Sequence, residues 1–339
     1  MPQQKTHNGS SSCAIETALI DYPFSRLVSD DLARVETLLR DHPAGQHEAV
    51  SRAMDRLLGG GGKRIRPTLI LLSAHLCGAN ISQAVIAGAA AEMLHIATLV
   101  HDDLIDGSLM RRGVETLQVN WTPAATVLTG DYLFARSAHL VTETGCIGLV
   151  ERFAETLVVI CNGEIRQMFD GNSSQTTVER YRQRIQAKTA RLIALSAQAG
   201  AILVGGHDEW ETALHSYGEG VGTAFQIVDD VLDFVADEET LGKPVGSDLR
   251  QGLVTLPVLL FLESEHDQDT VRQVLEGDRS EETVKRAVQA VAESKAVDEA
   301  LAVARHHAEE ARAALNSFPD TRYRAALLDL ADFAIGRRF

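Results

Sequence analysis

The sequence predicts an all-α fold. None of its eight prolines falls between Pro123 and Pro244, apolar residues recur at helical spacing almost throughout, and alternating β-branched runs flanking Asn-Gly or Asp-Gly turns are absent. An interior proline costs a helix roughly 3 kcal/mol, so a proline-free span of this length favours long helices. Leu27, Leu32, Val35, Leu38 and Leu39 form one stripe and define a helix over 27–41. A second helix covers 47–58. Leu69, Leu72 and Leu76 define a third over 66–77, with Pro67 suited to its first turn. The apolar run through Leu94, Ile96, Leu99 and Val100 belongs to a helix over 82–106. The proline-free span then divides into helices over 123–143, 147–170, 177–204 and 208–237. Several more follow residue 253, in a charged third rich in Ala, Glu and Arg. Loops are expected at 59–62, 107–121, 171–176 and 238–252. The expectation is one all-α domain over 25–339, of ten or more helices, behind an unstructured tail over 1–24.

The chain has 339 residues, 45% of them hydrophobic, and a net charge of −15. A chain of this size buries a core without disulfide or metal staples. The acidic balance argues against nucleic-acid binding, which depends on clustered Lys and Arg. It leaves room for an anionic substrate held by local cations or divalent metals. Cys13, Cys77, Cys146 and Cys161 form no Cys-x-x-Cys pair, which removes zinc and thioredoxin-like readings and points to a reducing compartment. Met1–Ser12 is polar with a single lysine, unlike a signal or transit peptide. The longest apolar stretch, 192–204, is interrupted by Ser196 and Gln198. A cytoplasmic protein is expected.

The chemistry lies in an internal echo. Residues 102–106 and 229–233 both read Asp-Asp-x-x-Asp. At 100° per residue, Asp102 and Asp106 stand about 40° apart on a helix, with Asp103 in the same arc. Asp229, Asp230 and Asp233 repeat the pattern. One such motif is commonly a solvated helix face; two, each ending an apolar helix, are not. Like charges at this spacing repel, so something cationic must face them. Hard carboxylate oxygens suit Mg²⁺, which takes one or two carboxylates together with substrate phosphates.

Fixed cations accompany the carboxylates. The segment Gly59–Pro67, GGGGKRIRP, delivers Lys63, Arg64 and Arg66 to a helix start, and it lacks the Ser/Thr of a Walker A loop. Arg111 and Arg112 follow the first cluster, Lys188 and Thr189 lie on a middle helix, and Lys243 follows the second cluster.

The segments GGKRIRP (61–67), HDDLIDGSLMRRG (101–113), GDYLFARS (130–137), KTA (188–190), FQIVDDVLDF (225–234) and GKPVGSDLRQGLVTLP (242–257) stand in the order found in trans-polyprenyl diphosphate synthases. The chain resembles that family, in its long-chain all-trans branch, from about residue 25 to its end. The resemblance implies an isoprenoid synthase-type helical bundle with a central cavity, a homodimer, and the two aspartate clusters facing each other across the cavity mouth. It implies chain elongation: an allylic diphosphate ionises and isopentenyl diphosphate attacks the cation. By resemblance, Asp102, Asp103, Asp106 and Asp229 bind three Mg²⁺ ions, with Asp230 and Asp233 supporting them. Arg111, Lys188 and Lys243 hold the allylic diphosphate, while Lys63, Arg66, His95 and Arg112 hold isopentenyl diphosphate. Thr189 and Gln226 stand beside the reacting carbons. His101 is structural, and the released diphosphate takes the final proton.

One departure is Leu253, where many members carry lysine; the surrounding segment is given no substrate contact beyond Lys243 and, weakly, Asp248. Product length is expected from the row leading into the first cluster. Ala97, five residues before Asp102, and Thr98 leave no aromatic floor, and Ala90 and Ala87 continue the row. The expected product therefore has about seven or more isoprene units and partitions into membranes. Two other readings stand beside this one. The chain could be the catalytic subunit of a synthase that needs a small partner, or a terpene cyclase on the same scaffold. A cyclase has no use for a second diphosphate site.

Overall fold

A computed structural model describes residues 22–59, 62–111, 113–170, 176–236, 245–263 and 268–336. Among them are sixteen α-helices and one two-stranded hairpin. The first half comprises α1 (Pro23–Arg26), α2 (Ser29–Leu39), α3 (Glu48–Gly59), α4 (Ile65–Cys77), α5 (Ile81–Ile105), α6 (Pro123–Glu143) and α7 (Ile147–Asp170). The strands β1 (Met110–Arg111) and β2 (Val114–Glu115) lie between α5 and α6. Then come α8 (Val178–Ile185), α9 (Arg191–Val204) and α10 (Asp208–Val235). The C-terminal layer is α11 (Ser247–Arg250), α12 (Leu256–Glu263), α13 (Asp269–Leu275), α14 (Glu281–Ala292), α15 (Lys295–Ala314) and α16 (Arg322–Gly336).

Local chemistry sets several ends. The Asn80 side chain accepts from Ser82 N to open α5, and Thr122 accepts from Ala125 N to open α6, ahead of Pro123 in its first turn. Gly78 ends α4 in the left-handed region, at φ 74°.

The core has two apolar clusters. One gathers α1–α7, α9, α16 and the first half of α10, including Leu214, Tyr217 and Val221. The other gathers α8, α11–α15 and the second half of α10, including Ile227, Val228, Val231 and Phe234. Thus α10 runs through both. Two rods, Ile81–Ile105 and Val178–Val204, are long and apolar enough by composition to cross a membrane. The apolar window of each is largely buried in the bundle, as for a core helix, while the first part of the second span, α8, is polar and carries Arg180, Arg182 and Arg184.

The structure redraws three expected boundaries. Tyr22 and Phe24, inside the segment read as a tail, stack 5.3 Å apart and pack on Phe333 of α16; residues 1–21 lie outside the described residues. The expected loop over 107–121 contains the hairpin and a 3₁₀ turn, Leu117–Val119. The helix expected over 177–204 is broken by a π turn, Gln186–Ala190, between α8 and α9.

Glycines let the central helices touch backbone to backbone. A Cβ on Gly200 of α9 would lie 2.3 Å from the carbonyl carbon of Ser73 in α4. On Gly222 of α10 it would lie 2.6 Å from Cα of Ala190, in the π turn. A glycine inside a helix costs roughly 0.5–1 kcal/mol relative to alanine. Here the close approach requires it. Gly222→Val should destabilise the fold by about 1–3 kcal/mol through overpacking. It should also lower turnover, because it separates α10 from the π turn; urea unfolding and a steady-state assay check the two effects, and a native midpoint would contradict the contact.

Candidate active site

The first aspartate cluster ends α5. Asp102 is half-buried, Asp103 is buried, and Asp106 caps the helix. Asp103 is tied down: Arg111 Nε, presented by β1, donates to its Oδ1 at 2.7 Å. The hairpin is itself held to the helix end, because Gln118 donates to Asp103 O at 2.7 Å and the Thr116 hydroxyl donates to Ser108 O at 2.6 Å. Burial pushes the Asp102 carboxyl above its ordinary range, and Lys188 only partly opposes this.

The π turn supplies that lysine. Lys188 Nζ lies 3.6 Å from Asp102 Oδ2 and 3.1 Å from Glu164 Oε1 of α7. Burial works against the ammonium, yet Asp102 and Glu164 outweigh it and hold the pKa above that of an ordinary lysine. Lys188 therefore stays charged. Its neighbour turns to the other cluster: the Thr189 hydroxyl donates to Gln226 Oε1 at 2.7 Å, and Gln226 Nε2 donates to Asp230 Oδ1 at 2.9 Å. Adjacent residues of one π turn thus reach both aspartate-bearing helices, and Gly222, one helical turn before Gln226, permits the approach. Irregular turns of this kind within helices recur at functional sites.

The second cluster is not three equivalent carboxylates. Asp229 is half-buried. Asp230 is buried and accepts from the Tyr181 hydroxyl at 2.7 Å as well as from Gln226. Burial, reinforced by Asp248, pushes Asp230 up to about 7. Asp233 is buried and organises the following chain. Its Oδ2 accepts from Asp248 N at 3.0 Å and its backbone carbonyl from Gly246 N at 2.7 Å. Leu253 N closes the same segment on Asp248 O at 2.8 Å. Among the described residues no group of three carboxylates, histidines or cysteines forms a preassembled metal cage. The donor chemistry still fits a hard divalent ion. Carboxylate oxygens crowd the end of α5, burial disfavours their charge, and a lysine ammonium is the cation beside Asp102.

The expected isopentenyl diphosphate residues separate. His95 lines a small cavity of about 70 Å³ with Arg56, Arg64, Asp103 and Arg111. Lys63 is not part of that lining; its Nζ stands 5.4 Å over the ring of Phe333. Arg66 is half-buried in the first turn of α4. Arg112 and Lys243 lie outside the described residues.

Arg64 departs from the expectation that this loop presents three cations to a ligand. It is buried, and it is the only non-glycine residue with positive φ (48°) among those described. Its Nε donates to Glu36 of α2, and its Nη1 donates to Glu92 of α5 at 3.0 Å. Both carboxylates are buried. Arg64 thus anchors the loop to two helices while its neighbours Lys63 and Arg66 stay more accessible. Glu92 lies on the same helix as Asp102, so one helix carries both the loop anchor and the first cluster.

His101 is structural, as expected: its Nε2 lies 3.1 Å from Val127 O, and a Cβ on Gly130 would strike its ring at 2.1 Å. Ala97 has 0% exposure, whereas Thr98, one turn before Asp102, is half-buried and donates to His95 O. Sequence reasoning missed Glu164, Tyr181 and the pair Glu36 and Glu92. Glu164 sits on an otherwise ordinary charged helix, and nothing in its spacing singles it out.

Charged groups converging on two helix ends, with a loop of basic residues beside them, define an all-helical enzyme built to handle anionic, phosphate-bearing substrates. The Polyprenyl synthetase family model matches residues 47–291. The chain is 39% identical over 312 residues to heptaprenyl diphosphate synthase component 2 of Geobacillus stearothermophilus, covering 92% of this chain and 97% of the relative. It is 35% identical over 315 residues to octaprenyl diphosphate synthase of Escherichia coli, covering 92% and 98%. Its structure is similar to that of a polyprenyl synthase from Caulobacter crescentus crystallised with calcium and isoprenyl diphosphate. The TM-score is 0.88 at 37% identity, over 93% of this chain and 97% of the other. This chain belongs to the polyprenyl synthetase family and has the isoprenoid synthase helical fold. It is a prenyltransferase.

Removing the Arg64 anchor leaves two buried carboxylates facing each other. Arg64→Gln should cost about 3–5 kcal/mol of stability. Arg64→Lys should not restore it fully, since one ammonium cannot span both acceptors as a planar fork does. Guanidinium unfolding measures both, and a wild-type midpoint in either variant would rule out the anchoring role.

Proposed function

We propose that this chain elongates an allylic diphosphate with isopentenyl diphosphate to a long all-trans polyprenyl diphosphate. One observation carries the reading: Lys188 and Thr189, adjacent in the π turn, reach the two aspartate-bearing helices at once. Ionising an allylic diphosphate separates a carbocation from an anion, and both need opposite charge or dipole held in place beforehand. Asp102, Asp103, Asp106 and Asp229 would hold Mg²⁺, three ions by family resemblance, with Asp230 and Asp233 behind Asp229. When bound, the metal supplies Lewis-acid stabilisation of the departing diphosphate.

The chain's own residues do the rest. Lys188, Arg111 and Lys243 bind the allylic diphosphate oxygens, and Lys188 arrives already protonated. The fixed Thr189–Gln226–Asp230 chain sets oxygen dipoles beside the developing allylic cation without a free nucleophile. Arg66, His95, Arg112 and Lys63 receive isopentenyl diphosphate, and Lys63 leaves its place over Phe333 to do so. The released diphosphate takes the proton that ends each addition.

Product length follows from α5. Thr98 is the accessible position one turn beneath Asp102, and no aromatic residue stands there or at Ala97, Ala90 or Ala87. Because Ala97 is enclosed, Thr98 is the better place for a floor. The chain acts as a homodimer through exposed apolar residues on α6 and α7. These include Leu128, 67% exposed, and the Val158, Ile165 and Phe169 stripe, whose last member is 84% exposed. It works in the cytoplasm and delivers its apolar product to membranes.

The test is the purified chain with Mg²⁺, farnesyl diphosphate and labelled isopentenyl diphosphate, with dephosphorylated products separated by chromatography. Polyprenols of about seven or more units are expected, their release limited by their insolubility in water. A cyclic hydrocarbon formed without isopentenyl diphosphate would indicate a cyclase; no turnover until a second protein is added would indicate a missing partner. Asp102→Ala should cut kcat by several orders of magnitude with helicity intact; near-normal kcat would sink the metal assignment. Thr98→Phe should shorten the product to about three or four units while the first condensations continue, because a ring would fill the row beneath the cluster. An unchanged product would place the growing chain elsewhere.

A further inference from the structure

A second basic site lies behind the active site. A cavity of about 420 Å³ opens between α7, α8, the π turn, α9 and α10, within the size range of small-molecule pockets. Four arginines from three helices line it: Arg166 of α7, Arg180 and Arg184 of α8, and Arg191 of α9. The lining holds a single carboxylate, Glu219. In a chain with 47 acidic and 32 basic side chains, arginines have abundant partners. Yet none of these four forms an ion pair with another described residue, whereas Arg34, Arg56, Arg64, Arg111, Arg152, Arg250 and Arg312 each do. Arg184 donates to Val254 O at 2.7 Å, and an Arg191 Nη1 lies 3.1 Å from His215 Nε2. The Arg184 guanidinium also lies over the Tyr181 ring, 5.4 Å from its centroid, and a guanidinium carries five N–H donors in all.

We propose that this cavity binds a small anion carrying two or more linked phosphates. Convergent guanidinium groups repel one another unless an anion lies between them, and their planar forks match phosphate oxygens two at a time. Gln183, Gln186, Asn162 and Thr176 add neutral polar groups, and Val159, Ala187, Ala194 and Val254 give the cavity apolar walls. The cavity volume suits a compact ligand, either a short inorganic oligophosphate such as triphosphate or the phosphates of a nucleotide.

The position makes the site more than a passive trap. Gln186 and Ala187 belong both to the cavity wall and to the π turn that carries Lys188. On α7, a Cβ at Gly163 would meet Cβ of Ala187 at 2.5 Å, and the next residue, Glu164, holds Lys188 at 3.1 Å. A ligand that draws α7 and the π turn together therefore acts on the pair of residues that positions Lys188. The binding proposal does not depend on the reaction proposed above.

The experiment is calorimetric titration of the full chain with inorganic triphosphate, and separately with ADP, in EDTA to suppress metal-dependent binding. Saturable one-to-one binding is expected. It should weaken by about tenfold or more in Arg184→Gln/Arg191→Gln, which lose charge-assisted bonds. The more exposed pair Arg166→Gln/Arg180→Gln, which cannot disturb the core, should weaken it as well. Lys63→Gln/Arg66→Gln should change it less than about twofold, because those cations lie outside this cavity. Binding of both probes assigns the site to linked phosphates in general, and binding of ADP alone assigns it to a nucleotide. No binding at millimolar probe, wild-type binding in both arginine pairs, or equal weakening in the Lys63/Arg66 variant would overturn the proposal.

Discussion

Everything at the active site depends on keeping like charges together where water is scarce. Asp102, Asp103 and Asp106 share one helix end, and Asp229, Asp230 and Asp233 share another. Left alone, each group would repel itself and lose hydration. The fold compensates four of them in different ways. Asp102 has an ammonium, Asp103 a guanidinium, Asp230 a phenol and an amide, and Asp233 a backbone N–H. The compensation is uneven, and the unevenness is informative. Burial pushes Asp102, Asp103 and Asp230 all upward; at Asp102 and Asp103 a fixed cation opposes the shift, while at Asp230, where the bonded donors are a phenol and an amide, it reaches about 7.

The π turn reconciles these demands with a regular bundle. In an unbroken helix, residues 188 and 189 would point about 100° apart on a single cylinder whose neighbours were set by the helix register. One widened turn, pressed against Gly222, lets them serve different partners while α8 and α9 continue on either side. The same turn divides two environments. Lys188 faces carboxylates, while Ala187 and Gln186 face a wall of arginines.

Much of this was legible in the sequence. Helix positions followed from apolar spacing and from the absence of proline, and the repeated aspartate pattern pointed to the two helices that matter. What escaped was whatever depends on a partner distant in the chain. Nothing local marks Glu36 and Glu92 as a pair until Arg64 is seen between them, 28 residues from each. Tyr181 gives no sign that it will meet Asp230 across 49 residues. The π turn left no trace because its composition, Gln-Ala-Lys-Thr-Ala, is that of any helix. Spacing alone left the second aspartate cluster uniform, because it reports which face a residue occupies and says nothing of its donors; only the family resemblance set Asp229 apart from Asp230 and Asp233. The enclosure of Ala97 was invisible for the same reason.

The glycine contacts between α4, α9 and α10 bear on how such an enzyme can change over time. A cavity is enlarged by removing atoms from its walls, and a residue without a side chain has none to give. Where Gly200 meets Ser73 and Gly222 meets Ala190, the scaffold is already at its minimum. Room for variation is left to α5, and along its inner row the residues are already small. Single substitutions there can add volume far more readily than they remove it. Starting from this sequence, mutation thus has many short paths toward a shallower site and few toward a deeper one, a directional bias imposed by packing before selection acts.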